Sequence, residues 1–485
     1  MRNLEHTEKG ETGGANQHSS RYQILDYFEA NRMHSAQATS AIATQNYRLL
    51  WTYAINCILA VWLIINPHLF DYRSTGLEFS DTISGALILL FEAIAFVPQF
   101  NQVRWGTALV AIWLLFAPLV FWAPSPAVFV NDTLIASLVI AMSILVPGSP
   151  GTSGMSVAGP DQPPGWTYNP SSWIRRWAGI ALALVGFFIS RYLAAHQLGY
   201  IPHAWDPFFA NGTDRVTSSS ISRAFPISDA GFGSVAYMME VLIGFMGDRA
   251  RWRTAPWIVV MFALLVLPLG ITSIVLVITQ PIFVGAWCGL CLIAAAALMT
   301  SVPLSVHEAI AVGQFLVDAK RQKKNMWRIF WHGGTVVGAG NMDPDRRKYS
   351  FAKRCAASVQ GVNIPITLLA QLAVGAWLMA RPDLLHVENL LPAGATADMG
   401  AANCDHLLGA LVVTVAAIST AEVTRIVRFA NVLLGIAIIA AGIIFSRDVP
   451  VIFLSELISG ILLVLASMPR GAVAEKYGGW DRFVR

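Results

Sequence analysis

Trp287-Cys288-Gly289-Leu290-Cys291 is the segment of this chain best suited to chemistry. Two thiols at Cys-x2-Cys spacing lie one turn apart on a helix and can close and reopen as a disulfide. If the local apolar stretch starts near Pro281, Cys288 lies about seven residues in, roughly 10 Å below the helix start. A thiol pair at that depth can meet a membrane quinone from one side and protein thiols from the other. The same spacing is half of a metal site, which needs two more soft ligands. No second Cys pair stands among the five cysteines, so no metal is expected. A c-type haem is excluded because Leu292 stands where His is needed.

A few other residues could act chemically. Glu92 and Glu240 fall inside apolar stretches, where an ionisable group is costly and marks function or an interhelical hydrogen bond. His196 and His203 could move protons to a bound quinone, or be interfacial loop residues with Trp205 as headgroup anchor. Cys404-Asp405-His406 falls in a second loop expected on the same side. Its lone thiol could reach the pair from across the fold.

These residues need a membrane scaffold to position them. Of the 485 residues, 55% are hydrophobic and 13% charged, against about 25% charged in soluble domains. The net charge of +4 forms no basic stripe, so nucleic acid is not an expected partner. An all-α integral membrane protein of about twelve transmembrane helices is expected. The spans fall near 50–70, 82–98, 105–123, 132–147, 174–194, 231–247, 256–279, 282–303, 361–380, 406–421, 430–446 and 450–468. Lys and Arg concentrate in 304–360 and beside the fifth, seventh, eleventh and twelfth spans. This asymmetry puts both termini in the cytoplasm and 195–230 outside. The expected location is a bacterial inner membrane. Residues 1–45 are polar, with 1–20 disordered in composition and 21–28 a candidate interfacial helix. Residues 311–360 are expected as a basic cytoplasmic loop and 471–485 as a cytoplasmic tail.

A unit recurs in 46–150 and in 361–470. Trp62-x4-Pro67 is followed by Asp81 and Gly85, and Trp113-x4-Pro118 by Asp132 and Ala136. Trp377-x4-Pro382 is followed by Asp405 and Gly409, and a faded copy ends in Glu456 and Gly460. Each unit reads as a helix ended by Pro, a turn, and a returning helix capped by the acid. The small residue after the acid lets the helices approach. These units resemble the SPW-repeat membrane proteins, although the prolines follow Asn66, Ala117 and Arg381 rather than Ser. The resemblance implies a membrane scaffold.

Residues 170–310 break the repeat and resemble the vitamin K epoxide reductase family. The likeness rests on Cys288-x2-Cys291 at the start of the last of four helices, on Ile221-Ser222-Arg223-Ala224-Phe225, and on Phe232-Gly233-Ser234-Val235-Ala236-Tyr237 through Gly244. It implies a central four-helix redox bundle in which Cys291 faces a quinone and Cys288 exchanges with other thiols. It also implies a quinone contact at Asp229, beside Phe232 and Gly233. Asp229 stands where the family has Asn and can donate only when protonated, which burial in apolar surroundings favours. The family's shuttle cysteine is replaced by Ile221, no cysteine lies in 195–230, and the family's Tyr is Ala295. The loop relay is therefore absent, and an external thiol–disulfide protein would have to meet Cys288 directly. The expected function is a membrane thiol–quinone oxidoreductase with lipid, quinone and that protein as partners. The alternative is a non-catalytic membrane scaffold that kept the fold and lost the relay.

Overall fold

The computed structural model describes residues 22–30, 49–70, 72–145, 159–338, 350–385 and 399–484. The apolar stretches form long helices in three sets of four. The first set is α1 (Leu50–Leu69), α2 (Thr75–Ala95), α3 (Arg104–Val120) and α4 (Pro126–Ile144). The second is α5 (Trp173–Gln197), α6 (Asp229–Phe245), α7 (Pro256–Thr279) and α8 (Gly289–Arg321). The third is α9 (Ile366–Leu384), α10 (Met399–Ile418), α11 (Ala430–Phe445) and α12 (Pro450–Ser467).

Nine helices among the described residues are long and apolar enough to cross a membrane, and the chain is an integral membrane protein. The other three of the twelve have local reasons to fall short. Helix α2 carries Glu78, Asp81 and Glu92, α6 has only 17 residues, and α9 carries Gln371, Arg381 and Asp383. Each packs along a neighbour in sequence: α2 on α1, α6 on α5, and α9 on α10. In both flanking sets the first helix also packs on the fourth, closing a four-helix unit.

Several boundaries differ from the sequence reading. Ser74 and Ser125 cap α2 and α4, their hydroxyls accepting from Leu77 and Val128 N–H. The acids expected as caps sit deeper. Asp81, Asp132, Asp405 and Glu456 are each the seventh residue of their helix, counted from Thr75, Pro126, Met399 and Pro450. Pro67, Pro118 and Pro382 lie inside the last turn, two residues before the helix ends at Leu69, Val120 and Leu384. Proline is tolerated there because the missing N–H bond removes only one rung.

At the basic end, most of the candidate interfacial helix is instead a strand, β1 (Tyr22–Asp26), and of its described residues only Tyr27 and Phe28 are helical. The strand pairs antiparallel with β2 (Gly334–Gly338), Ile24 opposite Val336. Burial of Ile24 and Val336 outweighs any local helical preference. Residues 1–20 lie outside the described residues. The expected loop 311–360 is partly helical, since α8 runs on to Arg321 and short helices follow at Met326–His332 and Phe351–Ser358. The described part of the tail, 471–484, folds back: Tyr477 is fully buried and donates to Glu422 Oε2 at 2.7 Å. Glu92 is buried between helices, accepting from Asn56 at 2.9 Å and from Arg104 at 3.3 Å.

Candidate redox site

Helix α7 ends in a wide turn, Gln280–Val284, and Gly285 adopts φ +62°. That left-handed residue, cheap only for glycine, reverses the chain and starts α8 at Gly289 rather than near Pro281. Cys288 is therefore not inside the helix, as the sequence reading had it, but is its N-cap. Its sulfur accepts the N–H of Cys291 at 3.1 Å, and its own N–H donates to the buried Gln280 Oε1 at 2.9 Å. Cys288 and Cys291 are joined as a disulfide, with Cα atoms 5.2 Å apart. A sulfur at a helix N-terminus faces unpaired N–H groups and the positive end of the dipole, which favours its thiolate once reduced.

The loop 198–228 closes over this turn, and Cys288 is 0% exposed. Asp206 fastens it. One carboxylate oxygen accepts the N–H groups of Phe208 and Phe209, each at 2.8 Å. The other accepts the Thr213 hydroxyl at 2.6 Å and the Gly289 N–H at 2.9 Å. Burial pushes the Asp206 carboxyl up, but hydrogen bonds from Thr213, Gly289, Phe208 and Phe209 together hold it below the usual range. Two glycines allow the close fit. A Cβ on Gly212 would stand 2.0 Å from the Trp287 carbonyl oxygen, and one on Gly289 would stand 2.6 Å from Asp206. Thr213 of the loop touches the redox pair, its hydroxyl 3.6 Å from Cys288 Sγ, and Val216 packs on the apolar cluster that holds Cys288. Ile221, which the resemblance places at the shuttle position, makes no such contact among those described. Burial and the Asp206 bonds identify Thr213, which spacing alone did not.

His196, in the last turn of α5, and His203, in the loop, meet at one acid. Asp214 lies 3.2 Å from both His196 Nε2 and His203 Nδ1. Its carboxyl is held low by the Ala204 N–H first and then by these histidines. Trp205 is exposed. Trp287 ties the turn to the third unit, donating to Asp383 Oδ2 at 2.6 Å and meeting His406 edge-on at 5.5 Å. Cys404, expected in a loop, is a free thiol within α10.

Asp229 begins α6, but the cap is Ser228, whose hydroxyl accepts the Gly231 N–H at 2.9 Å. Asp229 Oδ1 accepts from the Gln197 amide, from the Ala230 N–H at 2.7 Å and from the Ser222 hydroxyl at 3.1 Å. Among the described residues Oδ2 is approached by Ser222 alone, at 3.2 Å. Ala230 and Cys291 pack onto one apolar cluster, Leu193–Cys288–Leu290, which brings this end of α6 to the disulfide. Phe232 points elsewhere, half exposed and 6.0 Å from the ring of Phe116. Gly233 faces Ser190 of α5, where a Cβ would stand 3.3 Å from the hydroxyl. Glu240 is buried deeper, with Oε1 3.4 Å from the Ser301 hydroxyl.

An apolar cavity of about 400 Å³ opens just past the pair. Leu292, Ala295 and Met299 of α8, Val277 of α7, and Val413 and Ala417 of α10 line it. Ala295 follows Cys291 by one helical turn, and its methyl leaves space that a larger side chain would fill.

Two known families have models that match parts of the chain. The model of the vitamin K epoxide reductase family matches residues 177–306, and that of the SPW repeat domain matches residues 50–146. No curated protein and no solved structure matches the chain.

Proposed function

We propose that this protein is a membrane thiol–disulfide oxidoreductase that passes electrons between an external thiol protein and a membrane quinone. The observation that carries this reading is the Cys288–Cys291 disulfide at the N-terminus of α8, within the segment similar to the vitamin K epoxide reductase family. A partner thiolate attacks Cys288, the 288–291 bond breaks, and Cys291 leaves as the thiolate. A second partner thiol then displaces Cys288, so the partner gains a disulfide and the pair becomes a dithiol. The dithiol gives two electrons and two protons to a quinone, which becomes a quinol as the bond between Cys288 and Cys291 re-forms. The reverse sequence uses the same atoms. Cys288 suits exchange because the helix end stabilises its thiolate.

Asp229, Phe232 and Gly233 are the proposed contacts for the quinone head. The cavity beginning at Leu292 and Ala295 suits the apolar tail, being of ligand size and lined by aliphatic groups. In this reading the loop 198–228 is external, the basic segment between α8 and α9 and both termini are cytoplasmic, and the membrane is a bacterial inner membrane. Because Cys288 is fully buried, exchange requires the loop to lift from Gly289. That burial also favours the competing reading of a structural disulfide in a scaffold. A redox titration of the pair in membranes, with and without added quinone, separates the two. A pair reduced by a small dithiol and reoxidised on quinone addition supports the oxidoreductase; a pair that stays closed throughout leaves the scaffold.

A further inference from the structure

The two flanking units repeat the same packing register, and one position in it differs in charge. Gly85 of α2 sits against α1 so that a Cβ would stand 2.7 Å from both the Ala60 oxygen and the Ile64 side chain. Gly409 of α10 sits against α9 in the same way, 2.7 Å from the Gly375 oxygen and 2.9 Å from Met379. Six residues on from Ala60 is Asn66, and six on from Gly375 is Arg381. Four residues before the glycines are Asp81 and Asp405. The second acid of each unit comes from its fourth helix: Asp132 in α4 and Glu456 in α12.

In the third set of helices this constellation is complete. The Arg381 guanidinium is fully buried, pairs with Asp405, and donates to Glu456 Oε1 at 3.1 Å. In the first set the acids remain and the guanidinium is gone. Asn66, Asp81 and Asp132 are all 0% exposed. One hydroxyl serves both acids: Tyr72 donates to Asp81 and lies 3.5 Å from Asp132 Oδ1. Apart from the other acid's carboxyl, Asp81 Oδ1 and Asp132 Oδ2 have no further partner among the described residues, and neither amide atom of Asn66 has one. Buried polar atoms are seldom left so. Neighbouring carboxylates in a low-dielectric interior repel strongly unless one of them holds a proton or a positive charge lies between them.

We propose that Asn66, Asp81 and Asp132 bind one sodium-class monovalent cation at the place Arg381 fills in the other unit. The unsatisfied acceptors are all oxygens, which suit a hard cation. A single charge is what the missing guanidinium would supply. The site is independent of the redox reading, since it lies in another unit and uses none of its residues.

Thermal unfolding of the purified full-length protein in detergent tests this, with sodium chloride titrated against choline chloride at constant ionic strength. Sodium should raise the midpoint in a saturable way, as a ligand of the native state does. Asp132→Asn should abolish the response. Asn66→Arg should abolish it too, while raising the midpoint in choline, because the guanidinium re-creates the Arg381 arrangement. A midpoint indifferent to sodium between about pH 6 and 9 overturns the proposal. So does a midpoint that follows pH alone, which means that the acids share a proton. A sodium response that survives in Asn66→Arg places the ion elsewhere and also overturns it. Should Asp132→Asn fail to accumulate, the wild-type titration and Asn66→Arg still decide.

Discussion

The hydroxyl of Thr213 lies 3.6 Å from the sulfur of Cys288, inside a loop that holds no cysteine. A thiol at this position is within disulfide reach. Thr213→Cys should therefore exchange with the native pair to give a 213–288 bond and a free Cys291. Peptide mass mapping without reduction reads this directly. If only the 288–291 bond is found after equilibration with a thiol buffer, the loop is not seated as described.

Asp206 holds that loop to α8 through the Gly289 N–H. Asp206→Ala removes the acceptor of four hydrogen bonds. The loop should open more often, and alkylation of Cys288 in the reduced protein should speed up by about tenfold or more, a factor equivalent to roughly 1.4 kcal/mol of latch energy. An alkylation rate equal to wild type would mean that burial of Cys288 does not depend on this carboxylate.

The same latch carries a pH dependence. The Asp206 carboxyl is held below its ordinary value of 3.8 in the folded chain. A lowered carboxyl stabilises the closed loop above the unfolded value and loses that effect as pH falls through the folded value. Closure should thus be flat from neutral pH down to about pH 4 and weaken only in stronger acid. Hydrogen exchange at Gly289 and Thr213 between pH 3 and 7, corrected for intrinsic rates, measures this; opening that begins near pH 6 would show that the Asp206 carboxylate does not control the latch.

What the sequence made legible followed from local signals, and what it hid came from contacts across the chain. Trp-x4-Pro followed by an acid and a small residue marked the hairpins, because each element sits on adjacent helices. The helix starts were set too late, because apolarity rises after the polar caps Ser74 and Ser125. Across 280–288 the apolar run hid the break, for which Gly285 was the one local signal. The Asp206–Gly289 and Trp287–Asp383 bonds span 83 and 96 residues, beyond any pattern in a single sequence. The β1–β2 pairing, which joins Ile24 to Val336, was hidden for the same reason.

Orientation can be read from native thiols. Cys355 is exposed beside the basic segment, and Ser220 is exposed in the loop over the disulfide. In intact cells an impermeant maleimide should leave Cys355 unlabelled and should label Ser220→Cys. Labelling at Cys355 without permeabilisation would reverse the orientation proposed above.

Asp229 offers the sharpest separation of the oxidoreductase from the scaffold. Its Oδ1 is committed to Gln197, Ser222 and the Ala230 N–H, so it ties the loop and the end of α5 to the start of α6. Among the described residues its Oδ2 meets only Ser222, which makes it the oxygen that would carry a proton in the proposed quinone contact. Asp229→Asn keeps an acceptor for the first role and a donor for the second, and should be tolerated in both. Asp229→Ala leaves the Gln197 and Ser222 donors unpaired and should cost about 1–3 kcal/mol of stability. If the free oxygen also binds the quinone head, the same change should weaken quinone affinity by a comparable ~1–3 kcal/mol. Measuring quinone affinity beside thermal stability for both variants distinguishes the roles, because the anchor acts on the fold and the donor on the ligand. Lost stability with unchanged affinity would leave Asp229 as the anchor of the loop and remove it from the quinone site.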